Sequence, residues 1–303
     1  MSEREQMTLR ADTRQFEATK GLWLTASTWG YPDNAPVVLL HGGGQTRHSW
    51  GAIGEILAEA GFYAVAVDMR GHGDSPWAPD GDYSWATLAG DLARICDQLV
   101  AGPMIVGASA GGLVSLAAVG GGQVRARGLV LVDIVLDLEP VGVNRIRDFM
   151  QARPDGFASL EEAADFVAGY LPDRPRPTDP SGLAKNLRRG ADGRLRWHWD
   201  PRWVQGSEGH LAGIAQLAES AARIAIPTLV VRGGSSDVVS QQGVEHFLRL
   251  VPHADYVDVA GAGHMIAGDR NDAFAEAVTS FLRSLPRSPQ VVGRRPGPER
   301  GSQ

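Results

Sequence analysis

The chain has 303 residues, of which 43% are hydrophobic and 21% charged, a globular balance that excludes wholesale disorder and fibrous architecture. Lys and Arg number 29 against 35 Asp and Glu, a net charge of −6, which leaves no electrostatic footprint for nucleic acid or an anionic membrane. One cysteine, Cys96, excludes a disulfide framework and a Cys-based zinc site.

Residues 12–29 hold two short Thr-, Phe- and Trp-containing segments around Lys20-Gly21 and read as a β-hairpin. Pro36–Leu40 is an apolar run without alternation, as expected for a strand buried on both faces. A Gly-rich turn follows, then a helix from Trp50 to Ala60 and a buried strand at Tyr63–Val67. Tyr83 to Val100 is helical, with Leu88, Leu92, Ile95, Cys96 and Leu99 on one face; Cys96 therefore reads as core. Met104–Val106 is a strand, Ala110–Val119 a helix of small residues, and Arg127–Val132 a strand. The alternation resumes with a strand at Thr228–Val231, a helix at Gln241–Val251, a strand at Tyr256–Val259 and a helix at Asp272–Leu285. Alternating strands and helices imply a mostly parallel sheet covered on both faces.

The alternation breaks between Leu136 and Arg223. This stretch holds a helical pattern at Leu160–Tyr170, a Pro-rich segment at Leu171–Pro177 and an aromatic cluster at Trp197–Trp203. So long a connection is a separate unit or a lid, and a mostly helical insert is expected. The tail 286–303 has Pro, Gly and Arg with almost no apolar residues and is expected to be disordered. The N-terminus is charged with no apolar run behind it, and no apolar stretch reaches membrane-span length. A cytoplasmic protein without membrane insertion is the expectation.

Chemistry concentrates in three places. Gly107-Ala-Ser109-Ala-Gly111 lies between a strand and a helix, the context of a nucleophile elbow, in which small neighbours let strand and helix approach closely. His41-Gly-Gly-Gly44 ends the first buried strand. Such a turn supplies one N–H of an oxyanion hole, assigned to Gly43 with Gly42 or Gly44 as alternatives, and the residue after the nucleophile, Ala110, supplies the other. Asp237 and His264 each follow a late strand, completing the order Ser…Asp…His at the C-terminal ends of parallel strands, where open α/β sheets bind ligands.

These motifs, together with Asp68-Met-Arg-Gly-His-Gly-Asp-Ser75 and Gly263-His264, resemble the α/β-hydrolases of the cap-carrying group, which contains esterases, cofactor-free haloperoxidases and epoxide-hydrolase relatives. The resemblance covers residues 14–285. It implies an α/β fold with a mostly parallel eight-stranded sheet flanked by helices, in which 12–135 and 224–285 form the core and 136–223 a helical cap. It also implies a serine hydrolase acting on a carboxylic ester or related small-molecule acyl compound, with Ser109, Asp237 and His264 as the triad and no cofactor or metal. Asp133, at the end of the strand 127–132, is the family's other position for the acid. His41, Met150, Trp197, Trp199, Trp203 and Met265 are expected around the substrate. Packing within the cap is an equal expectation for the three tryptophans. His72 is expected to hydrogen-bond within its own loop, and His198 with Asp200 makes a poor metal site.

Other outcomes stay open. The same triad serves perhydrolysis and the hydrolysis of lactones or C–C bonds, and the fold also occurs as a non-catalytic ligand binder. Ser109 at the elbow, in place of the aspartate of epoxide hydrolases, removes alkyl-ester chemistry. Tyr170 is the sole tyrosine of the insert, where epoxide hydrolases use a pair. Met265, where C–C hydrolases carry tryptophan after the histidine, disfavours C–C cleavage.

Overall fold

The computed structural model describes residues 11–171, 176–205, 207–266 and 272–286. An antiparallel hairpin, β1 (Asp12–Glu17) and β2 (Trp23–Trp29), leads into β3 (Ala35–Leu40), α1 (Gly51–Glu59), β4 (Phe62–Val67), α2 (Trp85–Asp97), β5 (Met104–Ala108), α3 (Ala110–Gly120) and β6 (Gly128–Val132). After a long insertion come β9 (Thr228–Gly233), α8 (Gln241–Leu250), β10 (Asp255–Val259) and α9 (Asp272–Ser284). The sheet order is β1-β2-β4-β3-β5-β6-β9-β10. β2 meets β4 antiparallel, and every pairing from β4 to β10 is parallel.

Strand periodicity divides the buried residues between two cores. Val38, Leu40, Val65, Val67, Ile105, Leu129 and Leu131 face one layer, with Leu88, Leu92 and Ile95 of α2 and Val114 of α3. Val37, Leu39, Ala64, Ala66, Met104, Val106, Val130 and Val132 face the other, with Ile53 and Leu57 of α1 and Phe274, Val278 and Leu282 of α9. Successive side chains point to opposite faces, so a sheet covered on both sides needs apolar residues at every position. That is why these strands are continuous apolar runs. Side-chain caps start the covering helices: Ser84 Oγ accepts from Thr87 N–H and Ser240 Oγ from Gly243 N–H.

The insertion between β6 and β9 contains α4 (Pro140–Gln151), α5 (Leu160–Tyr170), a two-stranded hairpin of β7 (Leu187–Arg189) and β8 (Leu195–Trp197), α6 (Pro201–Gln205) and α7 (Ser207–Ala222). The hairpin was not expected. It pairs onward to Phe157 and has a small core of its own, Phe157, Ala163, Leu187 and Leu195. Residues after β8 are tied to the loop that follows β4. Asp200 N–H donates to Gly71 O at 2.9 Å, Tyr83 Oη donates to Asp200 at 2.6 Å, and Trp77 Nε1 donates to His198 O at 3.1 Å. The expected disorder of the tail concerns residues that lie outside those described, apart from Pro286. Among the described residues no helix is long and apolar enough to cross a membrane.

Candidate active site

Ser109 sits between β5 and α3 at φ 48° and ψ −119°, a backbone conformation that costs on the order of 1–3 kcal/mol for a residue with a side chain. The turn is held from both sides: its N–H donates to Val132 O at 3.1 Å, and its C=O accepts from Gly112 and Leu113. A Cβ on Gly107 would come within 2.5 Å of Gly111 O, and one on Gly111 within 2.4 Å of Leu40 O. Both contacts are with backbone, so nothing larger than glycine fits where strand, helix and the glycine turn after β3 converge.

His264, in the turn after β10, presents Nε2 to Ser109 Oγ at 3.1 Å and Nδ1 to Asp133 Oδ2 at 2.6 Å. The carboxylate at Nδ1 requires the neutral ring to carry its proton there, which leaves Nε2 as acceptor toward the serine. Asp133 follows β6 with φ 47° and a fully buried side chain. Its burial is matched by donors: Gly233 N–H at 2.8 Å on Oδ1, and Ser236 Oγ at 2.6 Å and His264 on Oδ2.

The expected acid, Asp237, is not at His264. β9 ends at Gly233, and the chain turns back at once: Ser235 N–H donates to Ala262 O and Ser236 N–H to Gly233 O. This turn points the Ser236 hydroxyl inward onto Asp133 and sends the next side chain outward. Asp237 pairs there with Arg145 of α4 at 3.2 Å and is one-third exposed.

The turn after β3 is tied at almost every peptide group. Gly42 N–H donates to Gln45 Oε1 at 3.0 Å, Gly42 O accepts from His41 Nδ1 at 2.7 Å and from Gln45 N–H at 3.1 Å, and Gly44 N–H donates to His72 Nε2 at 3.1 Å. The Gly43 N–H has no such partner among the described residues. Of the three glycines weighed from the sequence, it is the one left free beside Ser109.

Two cavities meet at Gly43, Ser109, Ile146 and Met150. One, about 130 Å³, is mostly apolar, lined by Ala110, Leu113, Ile134, Val143, Trp203 and Val238 together with Arg147. The other, about 160 Å³, is lined by Gln45, Tyr170, Trp197, Trp199, His264 and Met265. Met150 thus lines both cavities, Trp203 the first, and Trp197, Trp199 and Met265 the second. His41, expected beside them, is wholly buried, its Nε2 accepts from Met69 N–H at 3.0 Å, and it lines neither cavity. A ring that closes the turn from behind cannot also face substrate. The helix α4, which brings Ile146 and Met150 to both cavities and Val143 to the first, was missed as an element. Its apolar residues recur at 143, 146, 149 and 150 behind Pro140, a helical spacing with a proline start. Among the described residues no group of three or more His, Cys, Asp or Glu is arranged to hold a metal ion.

A family model described as alpha/beta hydrolase fold matches residues 35–270. The esterase Rv0045c of Mycobacterium tuberculosis is 29% identical over 291 residues, covering 92% of this chain and 92% of that protein. The sn-1-specific diacylglycerol lipase ABHD11 of Mus musculus is 27% identical over 256 residues, covering 81% and 80%. A structure of the M. tuberculosis esterase matches with a TM-score of 0.73 at 27% identity, over 90% of this chain and 92% of that one. E-2-(acetamidomethylene)succinate hydrolase matches in fold with a TM-score of 0.79 at 22% identity, over 91% of this chain and all of the other. This chain belongs to the α/β hydrolase fold family.

Proposed function

We propose that this protein is a serine hydrolase that cleaves carboxylic esters of short apolar acids through an acyl-enzyme, with Ser109 as nucleophile, His264 as base and Asp133 as the acid of the triad. The carrying observation is the relay of Asp133, His264 and Ser109 at 2.6 and 3.1 Å beneath a strained elbow. His264 Nε2 takes the Ser109 proton as Oγ attacks the carbonyl carbon, and Asp133 stabilises the imidazolium that forms. The N–H groups of Gly43 and Ala110 receive the oxyanion. One such donor is worth about 3 kcal/mol of barrier. The imidazolium then protonates the leaving alkoxide, and water attacks the acyl-enzyme with the same ring as base.

The two cavities divide the substrate. The leaving oxygen must lie within reach of His264, which lines only the larger one. The alcohol therefore leaves on the side of Trp197, Trp199 and Met265. The acyl chain occupies the apolar cavity beside Ala110 and Trp203. A dry cavity of about 150 Å³ holds benzene, so about 130 Å³ suits a short chain or a single ring. The insertion acts as the cap over both.

Ser109→Ala is expected to abolish p-nitrophenyl butyrate hydrolysis and fluorophosphonate labelling while leaving the melting temperature near that of the wild type, because alanine enters the same turn. Wild-type turnover in this variant would remove the nucleophile from the mechanism.

A further inference from the structure

The oxyanion turn is fastened to the rest of the molecule by two histidines that line neither cavity. His72, in the loop after β4, accepts the Gly44 N–H on Nε2 at 3.1 Å. His198, which follows β8 in the insertion, accepts the Gly73 N–H on Nδ1 at 2.7 Å and directs Nε2 to Gly44 O at 3.4 Å. The two sides of Gly44 are thus held by two imidazoles. A ring nitrogen that receives a backbone N–H must be unprotonated, so His72 carries its proton on Nδ1, toward Arg70 O at 3.3 Å, and His198 carries its proton on Nε2. Both rings are almost fully buried. They pack 5.7 Å apart, and the edge of Trp203 closes on His72 at 4.6 Å. Nothing else among the described residues accepts from Gly44 N–H.

We propose that His72 and His198 are positioning residues that hold the Gly43 N–H where the oxyanion forms, so that the insertion is a working part of transition-state stabilisation as well as a cover. This rests on the serine-hydrolase reading above. The physical reason is the stiffness such a donor needs: it contributes only if it is aimed before charge develops, and a displacement of about 1 Å costs on the order of 100-fold. Gly43 is the central residue of three glycines and has no side chain to fix it. Its direction is set by the anchored peptides beside it, at Gly42 through His41 and Gln45 and at Gly44 through His72 and His198.

Two pairs of variants test this. His72→Leu and His198→Leu keep the bulk and remove the hydrogen bonds to Gly44. His72→Gln returns an acceptor oxygen to the place of the Nε2 that meets Gly44 N–H, and His198→Gln returns an N–H donor to the place of the Nε2 that faces Gly44 O. Each Leu variant is expected to lose on the order of 10- to 100-fold in kcat, with KM for p-nitrophenyl butyrate changed far less. Affinity for a trifluoromethyl ketone should fall in parallel, because in its adduct Ser109 Oγ bonds to the carbonyl carbon, the serine proton passes to His264, and the ketone oxygen becomes an oxyanion. The two Gln variants are expected to recover most of both. Folded Leu variants with wild-type kcat and ketone affinity would overturn the proposal. So would a loss in His72→Gln as large as in His72→Leu. If the Leu variants do not fold, a folded His72→Gln enzyme with a tenfold or greater loss in kcat overturns it, and one near wild type supports it. Wild-type turnover that persists in Ser109→Ala would instead signal failure of the underlying serine-hydrolase reading.

Discussion

Asp133 and Asp237 are both carboxylates beyond the ends of neighbouring parallel strands, and their environments separate them. Asp133 has no exposure and three donors, one of them His264. Asp237 has solvent and one arginine, a surface pair worth at most about 1 kcal/mol. Asp133→Asn is therefore expected to lower kcat on the order of 10⁴-fold, because an amide can impose the wrong tautomer on His264. Asp237→Asn should leave kcat within about twofold and shift the melting temperature slightly. Steady-state ester hydrolysis on both variants checks this, and the opposite ranking would return the acid to the β9 side. Ser109 and His264 were legible in the sequence because each is marked by its immediate neighbours, a Gly-bounded turn and a Gly-His step after a strand. The carboxylate that meets His264 was not, since β6 and β9 are paired in register and either carboxylate satisfies the same chain order. The decisive signal was hydropathic. Asp133 interrupts the run Gly128–Val135, every residue of which is buried, and a carboxylate in such a run needs donors waiting for it.

At the scale of elements, the sheet and its covering helices were readable because two-sided burial demands unbroken apolar strands. The insertion was less so. α4 carries Asn144, Arg145, Arg147 and Asp148 among its apolar positions, and three-residue strands such as β7 and β8 are too short for any periodicity. Its aromatic cluster was seen, but the division of labour within it depends on which way each ring turns. Trp203, in α6, faces the smaller cavity beside Gly43. Trp199 stacks on Trp197 with centroids 4.8 Å apart, donates its indole N–H to Met150 O at 3.3 Å and faces the other cavity. Trp203→Ala should accordingly change kcat/KM across an acyl-length series, favouring longer acids by about tenfold, with little dependence on the alcohol. Trp199→Ala should do the reverse, altering discrimination among alcohols at a fixed acyl group. A grid of esters varied independently at both ends, read beside each variant's melt, decides it. Uniform losses over the whole grid would mean that the rings only hold the insertion together.

Taken whole, the molecule keeps three imidazoles neutral behind its active site. His41, His72 and His198 each accept a backbone N–H, from Met69, Gly44 and Gly73. Burial is the largest influence on all three and lowers their pKa values, to about 3 for His198. Nearby charges alter this only in part: Asp68 and Arg47 act on His41, Arg188 and Asp74 on His198, while His72 faces the other two rings. The sign follows from proton counting. The unfolded chain takes up protons near the ordinary value of 6.5, and the folded chain does so only at lower pH. Stability is therefore complete above about pH 6.5 and falls as the solution is acidified, for His198 down to about 3. Each histidine contributes a slope of at most about 1.4 kcal/mol per pH unit. Between about pH 6 and 5 the carboxylates are still ionised in both states, so the histidines dominate there. Half-buried His48, also lowered chiefly by burial, acts in the same direction. Urea denaturation at pH 7, 6 and 5 should show an uptake on unfolding that grows toward pH 5 to about two protons or more, from His72 and His198 at least, and His72→Gln should remove about one of them. A stability that is flat from pH 7 to 5 would mean that these rings are not held neutral. The oxyanion turn would then lack the acceptors that fasten it.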